Sequence, residues 1–346
     1  MTRAPIEPRP APPLLALFRH LAAEFGAEVY GEPVYGYAGY IDFPRGRRAF
    51  FKAGALDVNR HGAAELVRDK NYAAALLRHF GFTVPDDVLL ASPRYRAEVK
   101  LKNRRIEAGL GGLERARGFA ETRGFPLYVK PNEGYGGQGV SKAWDARQLE
   151  DDVRALFRRH LRVLVQAAAA GRDFRLVVAG GEVTLAYERI PFRVTGDGVR
   201  TVAALARERI AQLTAREAGG KVALGDRRIR RQLQSAGLAL VDVPPPGRVL
   251  TLLPAANLSA GGAAVDRTAE ASARFRSIAV EICRQTGLVF AAVDLLADDI
   301  AAEDSPYNVI EINAAPGLSN YAALGPEAAA RVEETYRRLF QLMAEP

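Results

Sequence analysis

Three oxygen-bearing side chains near the C-terminal end have the types and spacing of a hard-cation site. Glu311 and Asn313 are two residues apart in Asn308-Val309-Ile310-Glu311-Ile312-Asn313, so on a strand they face the same side. Asp294 sits in the apolar run Phe290-Ala291-Ala292-Val293-Asp294-Leu295-Leu296, where an unpaired carboxylate would be costly to bury. Two carboxylates and an amide oxygen are donors that magnesium accepts while keeping phosphate oxygens and water. An edge strand with exposed acids and a turn asparagine is the bland alternative. The loop Ala314-Ala315-Pro316-Gly317 directly after them favours a fixed site.

A second cluster lies upstream. The apolar strand expected over Phe125–Lys130 runs into Pro131-Asn132-Glu133-Gly134-Tyr135-Gly136-Gly137-Gln138-Gly139. Gly134, Gly136, Gly137 and Gly139 allow positive φ and close approach of N–H groups to an anion, and the strand aims Lys130 at the same anion. The spacing is neither that of the P-loop nor that of the dinucleotide fingerprint. A third segment, Val163 to Phe174, ends a strand at Gln166 and reaches Asp173. Free backbone groups followed by a carboxylate suit an adenine edge and a ribose diol; alone, the segment is hardly more than a connector.

The residue counts remove other chemistries. One cysteine, Cys283, excludes a disulfide framework, and four scattered histidines leave no zinc constellation. No Ser-His or Cys-His nucleophile is in evidence. Lysines number 7 against 41 arginines, so a surviving lysine marks a place where a compact ammonium is required; Lys70 and Lys130 fall inside the motifs. The net charge of +8 is spread among acids along the chain, which argues for a solvated surface against nucleic-acid binding. A basic cleft attracting anionic ligands is the secondary reading. The stretch Arg94, Arg96, Lys100, Lys102, Arg104 and Arg105 is expected to be an exposed, irregular connection; attraction of an acidic substrate is its sharper reading.

The elements that would carry these residues are mixed. Helices are expected over 14–25, 65–80, 112–123, 146–160, 202–210, 226–236, 267–286 and 327–343. Strands are expected over 40–43, 49–52, 125–130, 162–166, 174–178, 183–189, 249–253, 289–296 and 308–313, with another beginning at Val84-Pro85. Gly180-Gly181 marks a hairpin. Residues 1–13, with five prolines, read as a mobile tail and not a signal peptide. The tyrosines of 30–40 are expected to be half-buried packing. No run of about 20 apolar residues occurs, so no membrane span is expected and a soluble cytoplasmic protein is the default. Mixed elements with several hairpins indicate the α+β class.

Taken in order, Asp69-Lys70, the Lys130 strand with its glycines, Gln166–Asp173, Asp294 and Glu311-Ile312-Asn313 resemble the ATP-grasp superfamily of carboxylate–amine ligases. The resemblance is nearest to the ATP-grasp region of cyanophycin synthetase and of bifunctional glutathione synthetases. It rests on three more segments: Glu188 to Gly198, Ala256 to Asp266, and Glu311 to Leu318. It covers roughly 69–325 and implies an ATP-grasp fold behind a shortened N-terminal region. The divisions are 1–68, a central and lid unit over 69–165, and a C-terminal unit with the metal site over 166–346.

The resemblance implies an ATP-dependent ligase joining an amino-acid or peptide carboxylate to an amine through an acyl phosphate. Lys70, Lys130, Gly134, Gly136 and Gly137 would contact the phosphates of ATP. Gln166 and the backbone of Ala168 and Ala169 would read adenine, and Asp173 would hold the ribose. Asp294, Glu311 and Asn313 would ligate Mg2+, with Mn2+ as the alternative. Arg189 would meet the transferred phosphoryl group or the substrate carboxylate, with Arg193, Asn257, Ser259, Gly261 and Gly262 along the substrate wall. A homodimer is compatible with it. Gln166 stands where the family usually has glutamate, and Ala292 where D-alanine ligases carry an arginine. The sequence ends at Pro346 without the Mur-ligase-like domain of cyanophycin synthetase, which sets the expectation against polymer synthesis. A nucleotide-binding protein without ligase activity is the rival reading, and a basic nucleic-acid-binding protein the remoter one.

Overall fold

The computed structural model describes residues 11–134, 136–215 and 222–345, apart from the side chains of Thr214, Ala215 and Ser259. Its paired strands are antiparallel throughout the described residues, forming four sheets with helices packed against them. The α+β expectation is therefore met.

The central sheet has five strands in the order Ala263–Asp266, Glu182–Ile190, Arg172–Ala179, Phe290–Ala297 and Tyr307–Asn313. Both faces are covered, so its middle strands read as nearly continuous apolar runs. Period-two alternation sends Phe174, Leu176, Val178, Ala291, Val293 and Leu295 to a core beneath the helix Ala273–Thr286. The opposite face changes character along its strands. At one end Val177, Ala179, Leu185, Tyr187, Phe290 and Ala292 pack under two helices, Pro13–Glu24 and Pro326–Ala344. At the other end the same alternation delivers Asp173, Arg175, Arg189 and Asp294 into a cleft.

Across that cleft stands a four-stranded sheet ordered Asp87–Ala91, Arg162–Ala167, Leu127–Pro131 and Ser141–Ala143. Its helices Leu113–Arg123 and Ala146–Phe157 bury Val88, Leu90, Leu127, Val129, Val163 and Val165 on one face. The other face therefore presents Tyr128, Lys130 and Gln166 to the cleft. A third unit within 192–253 has a core of its own, built from the ribbon Arg193–Thr195/Val249–Thr251 and the helices Val202–Ala215 and Arg227–Ser235.

Several local expectations are corrected. Residues 65–80 are not one helix but two, His61–Arg68 and Lys70–His79. Asp69 breaks them: its backbone is extended, and its carboxylate caps the second helix by accepting from the Tyr72 N–H at 3.0 Å. The basic stretch is helical, over Pro93–Lys102 and Arg104–Ala108, with Ser92 and Asn103 as N-caps. The helix expected from 267 begins at Ala273 because the Thr268 hydroxyl is drawn to the backbone of Ala186. Of the tyrosines of 30–40, Tyr40 is half-buried and stacks on Tyr30 as expected, whereas Tyr35 and Tyr37 are exposed; they lie on a hairpin sheet that starts with an unanticipated strand, Glu28–Gly31. Of the proline-rich tail, residues 1–10 lie outside the described residues. No helix among the described residues is long and apolar enough to cross a membrane.

Candidate nucleotide site

The two sheets enclose a cavity of about 380 Å³ lined by Lys70, Lys130, Gly134, Gly137, Gln166, Ala169, Asp173, Arg189, Arg193, Asn257 and Glu311. Residues from six separate stretches of the chain thus meet in one place. Lys70, the first residue of its helix, donates from Nζ to the Gly134 carbonyl at 3.0 Å and pairs with Glu311 at 3.1 Å. It thereby joins the glycine loop to the last strand of the central sheet. Lys130 is buried and donates to Gln166 Oε1 at 2.8 Å. Burial, helped by repulsion from Lys70 and opposed by Glu311, pushes the Lys130 ammonium down to about 8.

The floor of the cleft is an ionic row laid across neighbouring strands. Strand register sets Arg175 directly opposite Asp294 on one side and Glu311 directly opposite it on the other. Arg175 clamps the Asp294 carboxylate through Nε at 2.6 Å and Nη2 at 2.7 Å. Arg189 reaches the same carboxylate at 3.0 Å and donates to Asp173 at 2.7 and 2.9 Å. Asp294 is fully buried; burial alone would raise its pKa, but Arg175 and Arg189 outweigh it and hold the carboxyl below its ordinary value. At Asp173 the balance is opposite: burial dominates the attraction of Arg189 and pushes the carboxyl up to about 6. A bulge follows, where the pairing shifts from Asp294–Glu311 to Leu295–Val309; it turns Ile310 toward the cavity.

Gly137 sits at a positive φ of 66° against the far wall. A Cβ there would fall 1.8 Å from Asn257 Nδ2, so the glycine loop is closed onto Asn257 as no side chain would permit. Gly262 is equally constrained, since a Cβ would meet the carbonyls of Asn257 and Ile190 at 2.8 Å. Gly136, Ala168, Gly262 and Asn313 do not line the cavity, Gly261 lines a neighbouring one, and the fully buried Asp294 lies beneath the floor. The Ser259 side chain falls outside the described residues.

The metal expectation meets a mixed answer. Glu311 and Asn313 share a face, and their oxygens are the kind magnesium takes. Asp294 is encumbered: besides the two arginines, Asn313 Nδ2 lies 3.4 Å from it. Four acids, Asp173, Glu188, Asp294 and Glu311, stand against six cations, Lys70, Lys130, Arg172, Arg175, Arg189 and Arg193. This excess of positive charge suits a polyphosphate arriving with its own metal. Glu311 therefore fits a magnesium ion by giving up its Lys70 pair and Asp294 by giving up an arginine contact, with the Asn313 amide oxygen as the third donor.

Sequence reasoning missed Arg175. The signal was available: a charge inside the apolar strand Phe174-Arg175-Leu176-Val177-Val178 needs a partner for the reason applied to Asp294. It also missed Asn132, fully buried, whose Oδ1 accepts from the Asn71 N–H at 3.1 Å and anchors the start of the glycine loop to the Lys70 helix.

This architecture, two antiparallel α+β lobes closing on a cleft of lysines and acids, is the ATP-grasp fold. The bifunctional glutathione synthetase from Pasteurella multocida shares it with a TM-score of 0.52 and 21% identity, over 89% of this chain and 41% of that one. In sequence, the chain is related to the cyanophycin synthetase of Nostoc sp., 34% identical over 209 residues, 58% of this chain and 23% of the relative. It is also related to the glutathione biosynthesis bifunctional protein GshAB of Mannheimia succiniciproducens, 30% identical over 205 residues, 56% of this chain and 27% of that protein. The chain thus spans about a quarter of the length of the curated relatives it matches. No family model matches it.

Proposed function

We propose that this protein is a soluble, cytoplasmic, ATP-dependent ligase that joins the carboxylate of an amino acid or peptide to an amine. The observation that carries this reading is the convergence of Lys70, Lys130, Arg189 and Glu311 on one cavity from separate segments. Stretches 69–165 and 166–346 would act as the two jaws.

A carboxylate is a poor acyl donor because its leaving group would be oxide. Its oxygen attacks the γ-phosphorus of ATP, the bond from γ-phosphorus to the bridging oxygen breaks, and ADP leaves with that electron pair. The resulting acyl phosphate is attacked at carbon by the amine. The C–O bond breaks, phosphate departs, and the nitrogen loses a proton. Magnesium, held by Glu311 and Asn313 with Asp294, would supply charge neutralisation on the phosphates.

The chain's own groups do the remainder. Lys130 and Lys70 face the transferring group with fixed ammonium charge, aimed before the reaction and partly shielded from water. Arg189, held by Asp173 and Asp294, presents its guanidinium to the phosphoryl group or the donor carboxylate. In this reading Gln166 and the backbone of Ala168 and Ala169 would meet the adenine edge and Asp173 the ribose, Gln166 by exchanging its contact with Lys130. The glycine loop, which meets Asn257 at Gly137, would keep out water that would hydrolyse an acyl phosphate.

ADP release across pairs of amino acids and dipeptides, with products read by mass spectrometry, tests the reading. Stimulated release with an amide product that Lys130→Met abolishes is the expected result. Nucleotide binding with no stimulated release from any pair would leave the rival, a nucleotide-binding protein that ligates nothing.

A further inference from the structure

Two helices of the lid lobe bury nothing. Pro93–Lys102 and Arg104–Ala108 contain no buried residue, and every position from Lys100 to Ile106 is exposed. Neither helix has an apolar stripe to lay against the rest of the molecule, so whatever covers this corner comes from outside it. We propose that the corner is a docking surface for a membrane of anionic lipids, on which the protein sits peripherally. The proposal is independent of the ligase reading, since none of these residues lines the nucleotide cavity.

Charge carries the first half of the argument. Residues 93–108 hold six cations, Arg94, Arg96, Lys100, Lys102, Arg104 and Arg105, against two acids, Glu98 and Glu107. Both acids are spent: Arg94 holds Glu98 at 3.0 Å, and Arg96 ties the two helices together through Glu107 at 3.1 Å. The side chains of Lys100, Lys102, Arg104 and Arg105 have no hydrogen bond or ion pair among the described residues. Four uncompensated cations thus fall within six positions. Beside them a depression of about 610 Å³ adds Arg158, also unpaired among the described residues, next to apolar walls from Ala97, Leu113 and Phe157. The two acids of that depression, Glu107 and Glu114, are both held by Arg96. A cluster of this size draws a protein to a negatively charged leaflet, each cation strengthening binding about fivefold.

Two aliphatic side chains decide what kind of anion. Leu101 is 90% exposed, the most of any large apolar side chain among the described residues, and Ile106 is 56% exposed. They flank the turn at Asn103, whose Oδ1 accepts from the Arg105 and Ile106 N–H groups at 3.1 Å and so fixes the second helix against the first. Aliphatic groups set among lysines and arginines match a lipid interface, where the former enter the acyl boundary and the latter meet phosphates. A single-stranded nucleic acid would call for rings on which bases stack, and no aromatic residue occurs between Tyr95 and Phe119.

The test is co-sedimentation of the full chain with vesicles of phosphatidylcholine alone and of phosphatidylcholine with about one third phosphatidylglycerol, alongside titration of a fluorescent single-stranded oligonucleotide. The protein should sediment with the anionic vesicles and not with the neutral ones, and added salt should release it. Replacing Lys100, Lys102, Arg104 and Arg105 together by glutamine should weaken binding about a hundredfold or more. Leu101→Ser, which leaves every charge in place, should weaken it about tenfold. All these side chains are exposed, and MgADP affinity within about twofold of wild type in both variants shows that the fold is kept. No binding to anionic vesicles, equal binding to neutral ones, or a Leu101→Ser variant that binds as wild type would each overturn the proposal. An oligonucleotide held more tightly than the anionic vesicles would give the corner to nucleic acid and overturn it as well.

Discussion

Lys130 gives the most direct handle on the cleft, because its proton should be coupled to nucleotide binding and to folding with opposite signs. Burial holds its ammonium at about 8 in the free protein, against about 10.4 for an unfolded chain. A bound polyphosphate would draw that value back up. Above pH 8, binding must then take up a proton, and affinity falls by as much as tenfold per pH unit. At pH 9 only about one tenth of the protein would carry the charge, so the Kd of MgADP should rise about tenfold from its value at pH 7.5.

Stability should move the other way. The folded pKa lies below the unfolded one, so between about pH 8 and 10.4 the unfolded chain holds more protons. Raising pH through that window removes a penalty on the native state, about 2 pKa units or ~3 kcal/mol for this group. Calorimetric titration of MgADP from pH 7.5 to 9.5, alongside denaturant unfolding in the same buffers, measures both. Lys130→Met should start weak at pH 7.5 and show a flat pH profile. A wild-type Kd constant to pH 9.5, or a Lys130→Met profile as steep as wild type, would refute the placement of this ammonium against phosphate.

Three further outcomes follow from contacts already described. Asp294→Ala leaves Arg175 and Arg189 buried beside a missing carboxylate, and should cost about 3–5 kcal/mol in denaturant unfolding; Asp294→Asn, which keeps a hydrogen-bond acceptor, should cost less while still weakening MgADP binding. Gly137→Ala drives a Cβ into the Asn257 amide at a positive φ and should raise the Kd of MgADP, while the pair with Asn257→Ala recovers the part due to the clash and leaves the backbone strain; a double-mutant cycle reads the coupling. Asp152 is fully buried in the helix Ala146–Phe157 and is held by Arg227 and Arg231 at 2.8 Å. Asp152→Ala should therefore speed amide exchange along Ser141–Phe157 and Arg227–Ser235 together, with the strands of the central sheet unchanged.

Much of the site could be read because its chemistry contradicts its surroundings. Asp294 in an apolar run, four glycines after a lysine, and two polar residues spaced for one face each break a local pattern, and a break without compensation is costly. Lys70 and Lys130 were legible for a compositional reason: in a chain this rich in arginine, a lysine stands out. The pairings were not legible. That Asp294 meets Arg175 depends on which strands are neighbours, and register between strands more than a hundred residues apart leaves no trace in either segment. The break at Asp69 was hidden by apolar spacing that continues across it, since a cap acts through one carboxylate and not through periodicity. The helices over 93–108 escaped because their faces are charged nearly all round, leaving no stripe to find.

The packing of Phe18 against Tyr336 and Phe340, with Glu24 bound to Arg337, joins sequence separated by more than three hundred positions. During synthesis the first of these helices can lean on Ile41, Phe43 and Phe51, but the rest of its greasy side stays uncovered until residues 326–344 have been made. Chaperone dependence, and loss of yield on shortening either helix, should therefore trace to the time between the two halves of one core, away from the cleft that holds Lys130.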